Sequence, residues 1–140
     1  MNQFQGVPYL REGVGNAARW MADMTESAAD HGLTMQLCMP GAAHLMDSLD
    51  RRAVTTSRTS MDYHKNVCKE CFWGQFHTVN MLAWALGLLP FKDNFQSSEE
   101  HAAPEALVSA LSAGMVGLSD RAGDADRATI MTTCRDDGLL

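Results

Sequence analysis

At 140 residues and 15.3 kDa the chain is long enough for one domain with a sizeable core and too short for two ordinary ones. A net charge of −6, with its 11 Lys and Arg scattered, argues against a nucleic-acid groove, because phosphate binding needs a basic surface. No apolar run approaches the roughly 20 residues of a membrane span. Met1-Asn2-Gln3-Phe4 has neither the basic start nor the apolar core of a signal peptide, so a cytoplasmic protein is expected, with neither nucleic acid nor membrane as partner.

Residues 1–15 carry three Gly and a Pro without period and read as loop. From Asn16, a good N-cap, Ala17, Trp20, Met21, Met24 and Ala28 recur at three and four spacing, which predicts a helix ended by His31-Gly32. Leu33 to Met39, closed by Pro40-Gly41, alternates like a strand. A short helix over 42–49 leads through Asp50-Arg51-Arg52 to a second strand over 53–57. The longest helix is predicted over 67–86, with Phe72, Phe76, Val79, Leu82, Ala83 and Leu86 on an apolar face. Leu88 to Phe91 is the third strand. Ser97-Ser98-Glu99-Glu100 supplies a cap with early acids for a helix that runs to Gly114, and Met115-Val116-Gly117-Leu118 is the fourth strand. A last helix covers 125–134. The chain closes on Asp136-Asp137-Gly138-Leu139-Leu140, where an apolar pair opens a further element, so a fragment of a larger protein is expected.

Four strands, each preceded by a helix, make an α/β fold of parallel β/α units. Their carboxyl ends carry Cys38, Arg58 to Asp62, Asp93 and Asp120. Ligands bind on that side of parallel sheets, so these residues form a candidate polar-metabolite site, with Asp62 and Asp93 as carboxylates for acid or base work and Arg58 holding charge nearby. The alternative for each is a turn or cap role, for which Asp, Asn and Ser are well suited.

Four cysteines are too few for a disulfide framework. His64-x3-Cys68-x2-Cys71-x5-His77 has zinc-ligand residue types. Yet in a helix His64 and His77 would stand nearly 20 Å apart at about 1.5 Å per residue, too far for one metal. A pair of packed thiols on an apolar helix is the simpler reading, and no metal or cofactor is assigned. A zinc-binding or protein-interaction module built on the Cys68-Cys71 helix is the alternative function.

Several runs resemble the C-terminal part of the raffinose synthase and α-galactosidase group of glycoside hydrolases. They are Pro90-Phe91-Lys92-Asp93-Asn94-Phe95-Gln96-Ser97, His101-Ala102-Ala103 and Gly114-Met115-Val116-Gly117-Leu118-Ser119-Asp120. Leu37-Cys38-Met39 and Arg58-Thr59-Ser60-Met61-Asp62 fall in the order and spacing of that group's fifth and sixth barrel strands, so the resemblance spans about residues 33–120. It implies a partial TIM barrel, strands five to eight of a (β/α)8 barrel, with Asp62 the general acid and base and Cys38, Arg58, Asp93 and Asp120 lining a carbohydrate pocket. The group's nucleophile stands on the fourth strand, which this chain lacks, so the chain alone would be inactive and would pair with the missing N-terminal half of the barrel or self-associate. Phe91 stands where the raffinose synthase pattern carries an aspartate, and Met61 where it has a second acid beside Asp62. The resemblance therefore implies an α-linked sugar without specifying galactose.

Overall fold

The computed structural model describes residues 6–64 and 69–140. Among them the helices are α1 (Pro8–Glu12), α2 (Asn16–Asp30), α3 (Ala42–Asp47), α4 (Lys69–Ala85), α5 (Ala102–Leu111) and α6 (Arg127–Ile130). The strands are β1 (Met35–Cys38), β2 (Val54–Arg58) and β3 (Leu89–Phe91), which pair in parallel in the order β1-β2-β3. The α/β class and the parallel β/α units expected from the sequence are present in this small sheet.

Two helix ends deliver the chain into the sheet by the same device. At the end of α2, Gly32 adopts φ +66°, its N–H bonds Ala29 O and the Leu33 N–H bonds Ala28 O. At the end of α4, Gly87 adopts φ +82°, its N–H bonds Trp84 O and the Leu88 N–H bonds Ala83 O. A left-handed residue just past a helix, closing its last carbonyls in this double pattern, favours glycine because a side chain there is strained. Leu88 and Ala83 are themselves buried together with Leu37, Leu45 and Val54, and Met21, Met35, Val79 and Leu86 pack around them. Helices α2, α3 and α4 thus cover one face of the sheet, on which Leu37, Ser57 and Pro90 stand in register and are buried.

The other face is open along β1 and at Leu89 and closed at Arg58 and Phe91. Gln36, Cys38 and Leu89 alternate with the buried positions along β1 and β3 and are exposed. With Met115, Leu118, Leu139 and Leu140, Leu89 and Thr56 line a shallow, mainly apolar concavity of about 650 Å³.

Four elements differ from expectation. The fourth strand over 115–118 does not form: the segment makes a single parallel bridge, Leu118 to Phe95, through the Phe95 N–H to Gly117 O at 3.2 Å and the Ser119 N–H to Phe95 O at 2.9 Å. Pro90 has no N–H to offer a further strand, and Gly114 instead packs against the Pro90 carbonyl and the Phe91 side chain. Residues 8–12 of the expected loop are helical, starting on Pro8, whose fixed φ suits a first helical turn. Asn16 lies inside α2 rather than capping it: Gly15, at φ +86°, is the cap, and Asn16 Nδ2 donates to Tyr9 O at 2.7 Å. Helix α6 is far shorter than the predicted span of 125–134: Asp126 caps its start, accepting from the Ala128 and Thr129 N–H groups and the Thr129 hydroxyl, and it ends at Ile130. No helix of the described residues is long and apolar enough to cross a membrane.

Candidate active site

Parallel pairing puts Cys38, Arg58 and Phe91 side by side at the carboxyl ends of β1, β2 and β3. Thr59 prolongs the ladder, donating its N–H to Phe91 O at 3.0 Å, and the chain then turns through Ser60 and Met61. That turn returns Asp62 to Arg58: Nη2 donates to Asp62 Oδ1 at 2.7 Å. The other terminal nitrogen, Nη1, lies 3.2 Å from Asp93 Oδ1 at the end of the neighbouring strand. One guanidinium thus bridges two carboxylates from adjacent strand ends.

The two acids are held differently. The Asp62 side chain is 58% exposed and that of Asp93 only 14%. Asp93 Oδ2 accepts the Tyr63 N–H at 2.7 Å, and Asn94 Nδ2 donates to Oδ1 at 3.3 Å. Its own N–H donates to Ser60 Oγ at 2.8 Å. Asp93 is therefore an anchored acceptor, whereas Asp62 faces solvent with Arg58 as its fixed neighbour. The Arg58 side chain is nine-tenths buried. Burial alone would lower its pKa, but the hydrogen bond to Asp62 and the charge of Asp93 outweigh it and raise the pKa further, so the cation is permanent.

Asp120 belongs to a second cluster. Its Oδ2 accepts the Ser97 N–H at 3.0 Å and its Oδ1 the Ser98 hydroxyl at 3.3 Å. Desolvation pushes the Asp120 carboxyl up, yet the backbone and hydroxyl bonds of Ser97 and Ser98 together prevail and hold it below the ordinary aspartate value. Ser97 Oγ also accepts the Asp126 N–H at 2.8 Å. The serines expected to cap α5 are thus engaged with the segment after the β-bridge, which explains why α5 begins only at Ala102.

The structure brings Arg58, Asp62 and Asp93 into direct contact, places Cys38 beside Arg58 in register with a free, exposed thiol, and ties Asp120 to Ser97 and Ser98. The Cys68 and Cys71 thiols lie outside the described residues. Among the described residues no group of three or more His, Cys, Asp or Glu is placed to hold a metal ion.

Sequence reasoning missed Lys92 and Glu105, an ion pair at 2.7 Å with both side chains fully buried. The signal was available on α5, where Ala102, Ala106 and Ser109 share the buried face with Glu105. An acid on an apolar helix face implies a cation to meet it. Tyr63, whose N–H reaches Asp93, was also unassigned; burial, then a hydrogen bond to Glu99, push its phenol well above the ordinary value.

No family model, no curated protein and no solved structure matches the chain.

Proposed function

We propose that these residues are the C-terminal part of a retaining glycoside hydrolase or transglycosidase barrel acting on an α-linked sugar. Asp62 is its general acid and base, and Cys38, Arg58 and Asp93 line the sugar pocket, whereas Asp120 is taken up by Ser97 and Ser98. The observation that carries this reading is the Asp62–Arg58–Asp93 bridge at the carboxyl ends of adjacent parallel strands, the side on which β/α barrels do their chemistry. The one-sided sheet supports it: a face bearing Leu89, Thr56 and an apolar concavity is what a barrel interior looks like before its remaining strands cover it.

In this reading Asp62, exposed and oriented by Arg58, gives its proton to the leaving glycosidic oxygen while a carboxylate on a strand outside these residues attacks the anomeric carbon. It then takes a proton from the water or acceptor hydroxyl that resolves the glycosyl intermediate. Asp93, fixed by Tyr63, Asn94 and Arg58, accepts from sugar hydroxyls. In this reading the nucleophile lies on a strand outside these residues, which alone turn over nothing. The test is hydrolysis of aryl α-glycosides by the full gene product that contains them, intact and as Asp62→Asn. A loss on the order of 10²–10⁴-fold is expected, the usual worth of a positioned acid or base. An unchanged rate removes Asp62 from the mechanism.

A further inference from the structure

Lys92 follows β3 directly and is closed off from solvent, at 1% exposure. Its ammonium meets Glu105 Oε2 of α5 at 2.7 Å. It also donates to the main-chain oxygens of Asp93 and Asn94, at 2.9 and 3.3 Å. The rings of Tyr63 and Phe95 stand over it, with centroids 5.6 and 5.7 Å from Nζ. The ammonium thus lies between one carboxylate and two carbonyls.

A buried ion pair is weak evidence for stability, because the desolvation of both charges offsets their attraction. What this one does is geometric. The two carbonyls fix the turn after β3, Glu105 fixes that turn against α5, and the Tyr63 ring draws the loop after β2 onto the same cation. The consequence is the contact between the loops: the Tyr63 N–H on Asp93 Oδ2, with the Asp93 N–H on Ser60 Oγ.

We propose that the Lys92–Glu105 pair is a positioning device that locks the loops after β2 and β3 together, so that Asp93 is presented with one oxygen held by Tyr63 and the other turned to Arg58. Lys92 touches no ligand and acts through Asp93. That Asp93 then meets a sugar rests on the glycosidase reading, but the positioning does not.

The Tyr63 amide reads it directly. In nitrogen-15-labelled protein that resonance should stand downfield and exchange slowly, and Asp93→Ala, which removes the acceptor, should move it upfield, which assigns it. The decisive variant is Lys92→Met with Glu105→Leu, which leaves no lone buried charge. It should still unfold cooperatively, but its Tyr63 amide should move upfield and exchange with solvent at least about tenfold faster. A folded double variant that keeps the parent's Tyr63 resonance position and protection overturns the proposal. So does one that fails to fold, since the pair then holds the whole fold rather than two loops. Titration of the parent with methyl α-glycosides is a separate arm: an intact Tyr63 signature without sugar binding counts against the glycosidase reading alone.

Discussion

Arg58 Nη1 lies 3.2 Å from Asp93 Oδ1, joining the ends of two neighbouring parallel strands through a side chain that is nine-tenths buried. The same guanidinium holds Asp62, which is mostly exposed. The two ion pairs therefore differ in worth. Arg58→Met strands the 14%-exposed Asp93 carboxylate and should destabilise by about 1–3 kcal/mol. Asp62→Asn loses only a solvent-screened partner and should cost under about 1 kcal/mol. Urea unfolding of the two variants compares them, and equal costs would contradict the asymmetry.

Lys92 and Glu105 make a sharper contrast. Lys92→Met leaves the Glu105 charge buried without its cation, for which about 3–5 kcal/mol is the usual cost. Adding Glu105→Leu removes that charge too, and most of the loss should return. The shift in urea midpoint for the single and double variants measures this; a double variant as unstable as the single one would show that the charge is not the cause.

The acid limb of stability should depend on Asp120. Its folded pKa lies below the ordinary 3.8, where the unfolded chain takes up its proton. The carboxylate therefore contributes stability that is complete above the ordinary value and is lost as pH falls through the folded one. Asp126, lowered first by the Thr129 hydroxyl and then by the Ala128 N–H, acts in the same direction. Asp120→Asn should melt below the parent at neutral pH and converge with it at low pH. Thermal unfolding from about pH 7 to about pH 2 checks this, and parallel curves would contradict it.

Gly114 is fixed by close approach rather than by its torsion angles. A Cβ there would run into the Pro90 carbonyl and come within 2.8 Å of Phe91 Cβ. Gly114→Ala should therefore destabilise by about 1–3 kcal/mol, as overpacking does, whereas Gly74→Ala, which meets nothing within 4 Å, should not. Paired melting curves decide it.

Hydrophobic periodicity placed α2, α4, α5 and the three paired strands, because each buries a stripe or alternate residues and the pattern records that burial. It failed where backbone polar groups decide. Met115 to Leu118 has a strand's composition, but Pro90 offers it no donor and Gly114 is taken up in packing, so only the Phe95–Leu118 bridge forms. The threonines of residues 129–133 are compatible with helix by pattern, yet the regular helix runs only from Arg127 to Ile130. At the site, strand-end position was enough to single out Arg58, Asp62 and Asp93, since parallel pairing alone makes those ends neighbours. It could not show that Asp120 turns to Ser97 and Ser98, nor that Lys92, adjacent to Asp93 in sequence, points inward to Glu105, because both depend on how α5 docks.

Whether Asp62 moves a proton is tested most directly by changing how much the leaving group needs one. In a protein carrying the complete barrel of the proposed reading, Asp62→Asn should lower kcat/KM for a phenyl α-glycoside on the order of 10²–10⁴-fold. It should lower kcat/KM, which reads the first step alone, far less for a dinitrophenyl α-glycoside, whose leaving group departs without protonation. A loss that grows as the leaving group becomes more basic is the expected result; the same loss for both substrates, or none for either, would contradict Asp62 as the proton donor.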